Sequence, residues 1–407
     1  MRSVVVASSL FLALAGVAAV AVGCPPTTST PVEDTTGEGA LLPNGKTFTR
    51  DALLNSIADC IVGEQDRFVV DAEALLAAVT TAATDAAQKP AAQAAFKQAL
   101  ERWQHLETMQ LGPAAPSTVT GGANIRDDIW SWPTTSRCAV DEMIVGKNYE
   151  QSNFHRQLIT TRGLGALEAL LFVDDDSTTC PDTNAIVQSG SWAALSTGER
   201  AARRAAYAIV VAQMVLDSAK KLQTAWAPAG GNFVDEVKKA GDGSVYFSSD
   251  RAAFNSISDA IFYIEYGVKD GKVAAPAGLT RCEAETCPEL LESTLSAMSK
   301  RNVRANIVGF SQIFGGCSDV DADLGFDDFL IALGHAPLAA QINGDVAAAL
   351  AAVDAIEEDD LLPALQNDRQ SIEDLHTIVK KITDELRTDF VSLLDLEIPQ
   401  RVEGDND

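Results

Sequence analysis

Apolar positions along this chain recur at three- and four-residue intervals in long blocks, the spacing of a helix with one buried face. Asp51–Ala87 carries Leu53, Leu54, Ile57, Ile61, Val62, then Val69, Leu75, Leu76 and Val79 on such a stripe. Lys89-Pro90 interrupts it, because the residue before a proline is pushed out of the helical region. A second helix, Ala91–Gln110, stops at Leu111-Gly112-Pro113. Ser196–Trp226 predicts a long helix with Ser196 as N-cap and Glu199 at its third position, a capping box. Further helices are expected over Arg251–Tyr266, Glu289–Phe314, Phe326–Leu333, Ala336–Ile356 and Ile372–Leu394, with a Gly/Pro/Cys loop over 267–288 and an acidic loop over 317–325. Alternating strand patterns are hard to find, and alanine runs such as Ala72–Ala78 favour closely packed helices. The expectation is an all-α protein.

The Pro/Gly-rich stretch 228–249 divides the pattern into two halves, 47–230 and 231–398, each long enough for a small helical bundle, with an acidic tail over 399–407. The N-terminal end reads differently. Arg2, an apolar run over Val4–Val22 and small residues immediately before Cys24 resemble a bacterial lipoprotein signal, residues 1–23. Cys24 would then carry the lipid, and residues 24–46, rich in Pro, Thr and Gly, would form a flexible tether. That predicts a lipid-anchored body in the bacterial cell envelope, facing the periplasm or the exterior.

With 57 acidic against 31 basic residues the formal net charge is −26, so a nucleic-acid partner is not expected. Six cysteines remain after Cys24, namely Cys60, Cys138, Cys180, Cys282, Cys287 and Cys317. An even number in an oxidising compartment suggests disulfides. Cys282 and Cys287 are close enough to pair locally, and Cys60 with Cys138 is a second expected pair.

The most demanding residue is Glu168, the single carboxylate in the apolar run Thr160–Val173, TTRGLGALEALLFV. Buried bare, such a group costs several kcal/mol, so it must be solvated, paired or protonated. It would accept hydrogen bonds from a ligand or pair with Arg162 or Arg126, with Trp132 lining the cleft beside it. The triplet Asp174-Asp175-Asp176 lacks the spacing of a calcium loop and reads as a solvated turn. The four histidines, His105, His155, His335 and His376, form no H-E-x-x-H, and no Gly-x-Ser-x-Gly or phosphate-cradling glycine motif occurs.

Five segments in order resemble the imelysin-like family. They are KQALERWQHLETMQLGP (97–113), DIWSWPTTSRCAVDEMI (128–144), TTRGLGALEALLF (160–172), RRAAYAIVVAQMVLDSAKKLQTAW (203–226) and NIVGFSQIFGG (306–316). The resemblance implies two helical-bundle domains with a site at their junction, near the family's G-x-H-x-x-E motif. Its first described member was classed as a metallopeptidase, and other relatives are associated with iron uptake. Here Gly163 and Glu168 match that motif, but Gly165 stands where the family has histidine. A peptidase zinc needs about three protein ligands, commonly two imidazoles, so zinc and peptidase activity are not expected. An oxygen-rich set from Glu107, Asp141, Glu168 and His155 would instead suit iron or another hard cation. The expected function is a membrane-tethered, non-catalytic protein holding a metal or small ligand in an inter-domain cleft. It would be linked to iron uptake and to other envelope proteins of that process. The alternatives are a metallopeptidase with non-standard ligands and a partner-binding lipoprotein with a dead site.

Overall fold

The computed structural model describes residues 36–317 and 323–402. The signal segment with Cys24, the start of the tether and the end of the acidic tail lie outside them. Among the described residues no β-strand forms, only an isolated bridge between Leu41 and Thr47. The body is all-α, as the apolar spacing predicts.

Helix α1 (Arg50–Thr84) starts where the Thr49 hydroxyl accepts the amide of Ala52 at 3.0 Å. Its 35 residues span roughly 50 Å and bury Leu53, Leu54, Ile57, Ile61, Phe68, Leu75 and Val79 along one stripe. Helix α2 (Lys89–Glu107) has Pro90 in its first turn, where the missing N–H has no intrahelical partner to lose. Short helices α3 (Ile125–Ile129) and α4 (Arg137–Gly146) lead to α5 (Gly163–Phe172). After α6 (Ala185–Gln188) comes α7 (Thr197–Trp226), begun by the Ser196–Glu199 capping box read from the sequence. Helices α2 and α7 both pack on α1, and α5 packs on α2 and α7.

The 228–249 segment is not a bare linker. It contains α8 (Phe233–Lys238), whose Phe233, Val234 and Val237 are buried, and α8 packs on α1. Helix α9 (Asp250–Ile261) is followed by a π-helical segment, Ile264–Ala274, where a loop was expected from 267. Gly267 and Gly271 suggest a break, but Val268 and Val273 are fully buried and hold the chain helical. Helix α10 (Ser299–Gly315) packs on α2, so the two halves of the sequence meet along that contact. The remainder is α11 (Phe326–Ala332), α12 (Ala336–Ala355), α13 (Leu361–Asn367), α14 (Arg369–Glu385) and α15 (Val391–Leu393). Helix α14 covers both α12 and the π-helical segment.

Two expectations are corrected here. The later part of the tether is packed rather than loose, with Leu42 buried and the Glu38 carboxylate accepting the amide of Arg50 at 2.9 Å. Cys60 pairs with Cys317, not with Cys138, which pairs with Cys180. The third bond is the expected Cys282–Cys287. A pairing across 257 residues depends on how α1 meets the end of α10, and no local spacing reveals it. Three disulfides fit a compartment outside the reducing cytoplasm.

Candidate functional site

Helix α5 is buried on all sides, and Glu168 on it is only 6% exposed. Its Oε1 accepts the backbone amide of Ser296 at 2.9 Å and the Ser296 hydroxyl at 2.7 Å. Both donors fall on that one oxygen, and among the described residues no basic side chain forms an ion pair with Glu168. Burial pushes its carboxyl up to about 7, the two Ser296 bonds pull the other way, and the charges of Glu292 and Asp360 add to the rise. Near neutral pH this group is poised between acid and carboxylate.

Ser296 belongs to a stretch, 289–298, that the sequence reads as the start of a long helix. Instead Ser293 and Ala297 adopt left-handed φ values of 53° and 52°, and α10 begins only at Ser299. Leu and Glu there favour a helix, but buried polar contacts override that weak preference. The Asn302 side chain donates to Glu292 Oε2 at 2.9 Å and to Ser293 Oγ at 3.0 Å, which anchors the turn. Non-glycine residues in this region of φ cost of order 1–3 kcal/mol each and persist where the surroundings over-determine them.

Close to Glu168 lies a second buried cluster, centred on Lys272 of the π-helical segment. Its Nζ sits 2.6 Å from Glu107 Oε2, 3.0 Å from Glu292 Oε2, 2.5 Å from Gln104 Oε1 and 2.8 Å from Asn306 Oδ1. Four oxygens therefore share three N–H groups. Tyr263 donates to Glu107 at 2.8 Å, and Trp130 Nε1 donates to Glu292 Oε1 at 2.9 Å. Burial raises the Glu292 carboxyl despite the nearby ammonium.

A cavity of about 430 Å³ opens beside Glu168. Trp130, Trp132, Leu291 and Leu295 supply apolar walls, with Arg281 and Glu289 among its charged lining residues. Helix α5 enters this region through Gly163, whose φ of 73° favours glycine and where an added Cβ would stand 2.7 Å from the Ile129 carbonyl oxygen. Gly165 also lines the cavity, and a Cβ there would lie 2.3 Å from Thr135 Cγ2. Thr135 thus fills the space a larger side chain at 165 would need. Gly165→His is expected to lower stability by about 1–3 kcal/mol, with Thr135→Gly in the same chain recovering most of the loss. Thermal unfolding of both single variants and the double variant checks this, and simple additivity would refute the contact.

The expected site residues scatter. Glu168 and Trp132 line the cavity, whereas Glu107 is held by Lys272. Asp141 is buried on α4, accepting from Thr178 Oγ1 at 2.7 Å, and burial raises its carboxyl. Arg162 pairs with Asp128 at 2.6 Å, while Arg126 pairs with Asp127 at 3.1 Å and donates to Gln110 at 2.6 Å, so neither arginine neutralises Glu168. His155 is exposed and its Nε2 accepts from Arg156 at 3.3 Å. Among the described residues no group of three or more His, Cys, Asp and Glu side chains is arranged to hold a metal. The donors at Glu168 therefore do not fit a peptidase zinc. Lys272, Glu292 and Ser296 were not foreseen. The sequence signal for two of them is a charge beside a buried apolar residue, Lys272 next to Val273 and Glu292 next to Leu291, whereas Ser296 gives none.

The Imelysin family model, Peptidase_M75, matches residues 64–388. The chain belongs to the imelysin family. Two solved structures share the fold. One is a "putative iron-regulated protein A precursor" from Parabacteroides distasonis, with a TM-score of 0.63 at 17% identity over 86% of this chain and 97% of that one. The other is an Imelysin-like protein from Psychrobacter arcticum, with a TM-score of 0.62 at 14% identity over 86% of this chain and 96% of that one. No curated protein matches the sequence. In this imelysin the motif glutamate is present and engaged, while the position of the motif histidine is closed by Thr135.

Proposed function

We propose that this imelysin is a membrane-tethered, extracytoplasmic binding protein that holds a small ligand in the cavity beside Glu168 and performs no catalysis there. The observation that carries this reading is the state of Glu168 itself. One oxygen is fixed by Ser296, and the other receives no donor among the described residues, in a cavity with indole and leucine walls. A buried carboxylate left so costs stability unless something arriving in the cavity repays it. The lipid on Cys24 supplies the tether. An iron connection is supported by the name of one structural relative, and the donor set favours a ligand over a bare metal ion.

Protein purified from its own source without chelator, examined by native mass spectrometry, is expected to retain one non-covalent adduct. Glu168→Ala should lose that adduct while keeping its helical circular dichroism. Retention of the same adduct by the variant would remove Glu168 from the function, and chelator-sensitive proteolysis by the wild type would favour a peptidase.

A further inference from the structure

Three buried carboxylates lie close together around the cavity and below it, and their positive partners are unevenly shared. Glu107 and Glu292 both contact Lys272, at 2.6 and 3.0 Å. Among the described residues Glu168 has no cation within ion-pair distance, although it too is buried, at 6% exposed against 4% for Glu107 and 1% for Glu292. The negative charges of Glu292 and Asp360 act on it as well. An anion placed at Glu168 would meet repulsion from that carboxylate, while the Lys272 ammonium nearby is already shared by Glu107 and Glu292. A metal ion would find one free carboxylate oxygen and no second acidic or imidazole side chain arranged to complete its shell.

The charges among the other lining residues do not change that balance. Arg137 is held by Asp175 at 2.9 Å, and the exposed Arg281 and Glu289 are opposite in sign. Trp132 already has Lys272 Nζ 5.7 Å from its ring centroid. A second cation on that indole is disfavoured by the first, so a positive group belongs at Glu168 and an apolar surface belongs on the tryptophan.

We infer that the ligand of this cavity is an organic cation, a primary ammonium or guanidinium carried on a flat apolar body, with its positive group on Glu168 and its body against Trp132. This rests on the proposal that the cavity is a binding site, and the pairing would be a desolvated charge-assisted hydrogen bond to Oε2. The ligand would supply the cation that Glu107 and Glu292 obtain from Lys272.

A matched series separates this inference from the reading beneath it. 4-Phenylbutylamine, 4-phenylbutanol and 4-phenylbutyrate share one body and differ in charge. Isothermal titration at pH 8 is expected to give the amine at least tenfold tighter binding than the alcohol, with no heat from the carboxylate. Glu168→Gln should reduce the amine to the level of the alcohol. Leu295→Arg, at an exposed lining position, should weaken the amine at least threefold more than it weakens the alcohol, with native circular dichroism in both variants. If the alcohol or the carboxylate binds best and responds to either substitution, the cationic class is wrong and the cavity remains a binding site. If none of the three binds the wild type, or if all bind both variants unchanged, the inference fails together with the site.

Discussion

Lys272→Met should cost this imelysin about 3–5 kcal/mol, a large part of the 5–15 kcal/mol that holds a typical domain folded. The ammonium and both of its carboxylate partners are nearly inaccessible, at 1% for Lys272, 4% for Glu107 and 1% for Glu292. Methionine fills much of the same volume but returns nothing to the oxygens of Glu107 and Glu292. Two carboxylates then remain buried with only neutral donors, Tyr263 and Asn306 on one, Trp130, Asn302 and Gln104 on the other. The loss comes from abandoning the partners rather than from any large net worth of the ion pairs. Adding Glu107→Gln and Glu292→Gln to Lys272→Met should therefore recover much of the loss, even though three charges are gone. Urea unfolding of the single and triple variants measures both quantities. A single variant within about 1 kcal/mol of wild type would show that the cluster is reached by water or is already protonated.

The second large effect concerns Glu168 and pH. In the unfolded chain its carboxyl titrates near 4.5, and burial in the folded chain pushes it up to about 7. A raised acid in the native state means the folded form holds its proton longer, so stability is fullest below 4.5 and declines as pH rises through 7. Over that interval, at about 1.4 kcal/mol per pH unit, the decline reaches about 3 kcal/mol. Glu168→Gln removes the titration while its amide oxygen can still accept from Ser296. The variant should match or fall slightly below wild type at pH 4.5 and exceed it by about 2–3 kcal/mol at pH 8. Because every other ionisable group is common to both proteins, the difference between the two curves isolates position 168. Parallel curves from pH 4.5 to 8 would mean that Glu168 carries its charge without penalty. A bound organic cation would shrink the gap at pH 8, which links this measurement to the identity of the ligand.

Much of the architecture was legible beforehand because helix formation is a local matter. The apolar stripe of α1 and the Ser196–Glu199 capping box each depend on residues within a few turns of one another, whereas the break expected at Lys89-Pro90 falls earlier, after Thr84, and Lys89 already opens α2. The imelysin resemblance was legible for a related reason, since ordered segments such as TTRGLGALEALLF keep their character even where Gly165 replaces histidine. Glu168 stood out because a lone carboxylate in an apolar run needs an explanation at whatever depth it lies.

What answered that need was decided elsewhere in the fold. The 289–298 stretch has helix-forming residues, yet Glu292 is drawn to Lys272 and Trp130, and Ser296 is turned onto Glu168. Arg162 is near Glu168 in sequence and Arg126 lies just before a segment of the same family pattern, but each meets an aspartate first. Cys60 finds Cys317 across 257 residues. By itself, then, the order of amino acids determined the helices, their caps, the family and the one acid that had to be accounted for. The tertiary structure alone decided which charges are shared, which oxygen stays free and where the cavity opens. Propensity and capping act over one or two turns of chain, whereas the free energy of a buried charge depends on every group that packing brings within a few ångströms of it.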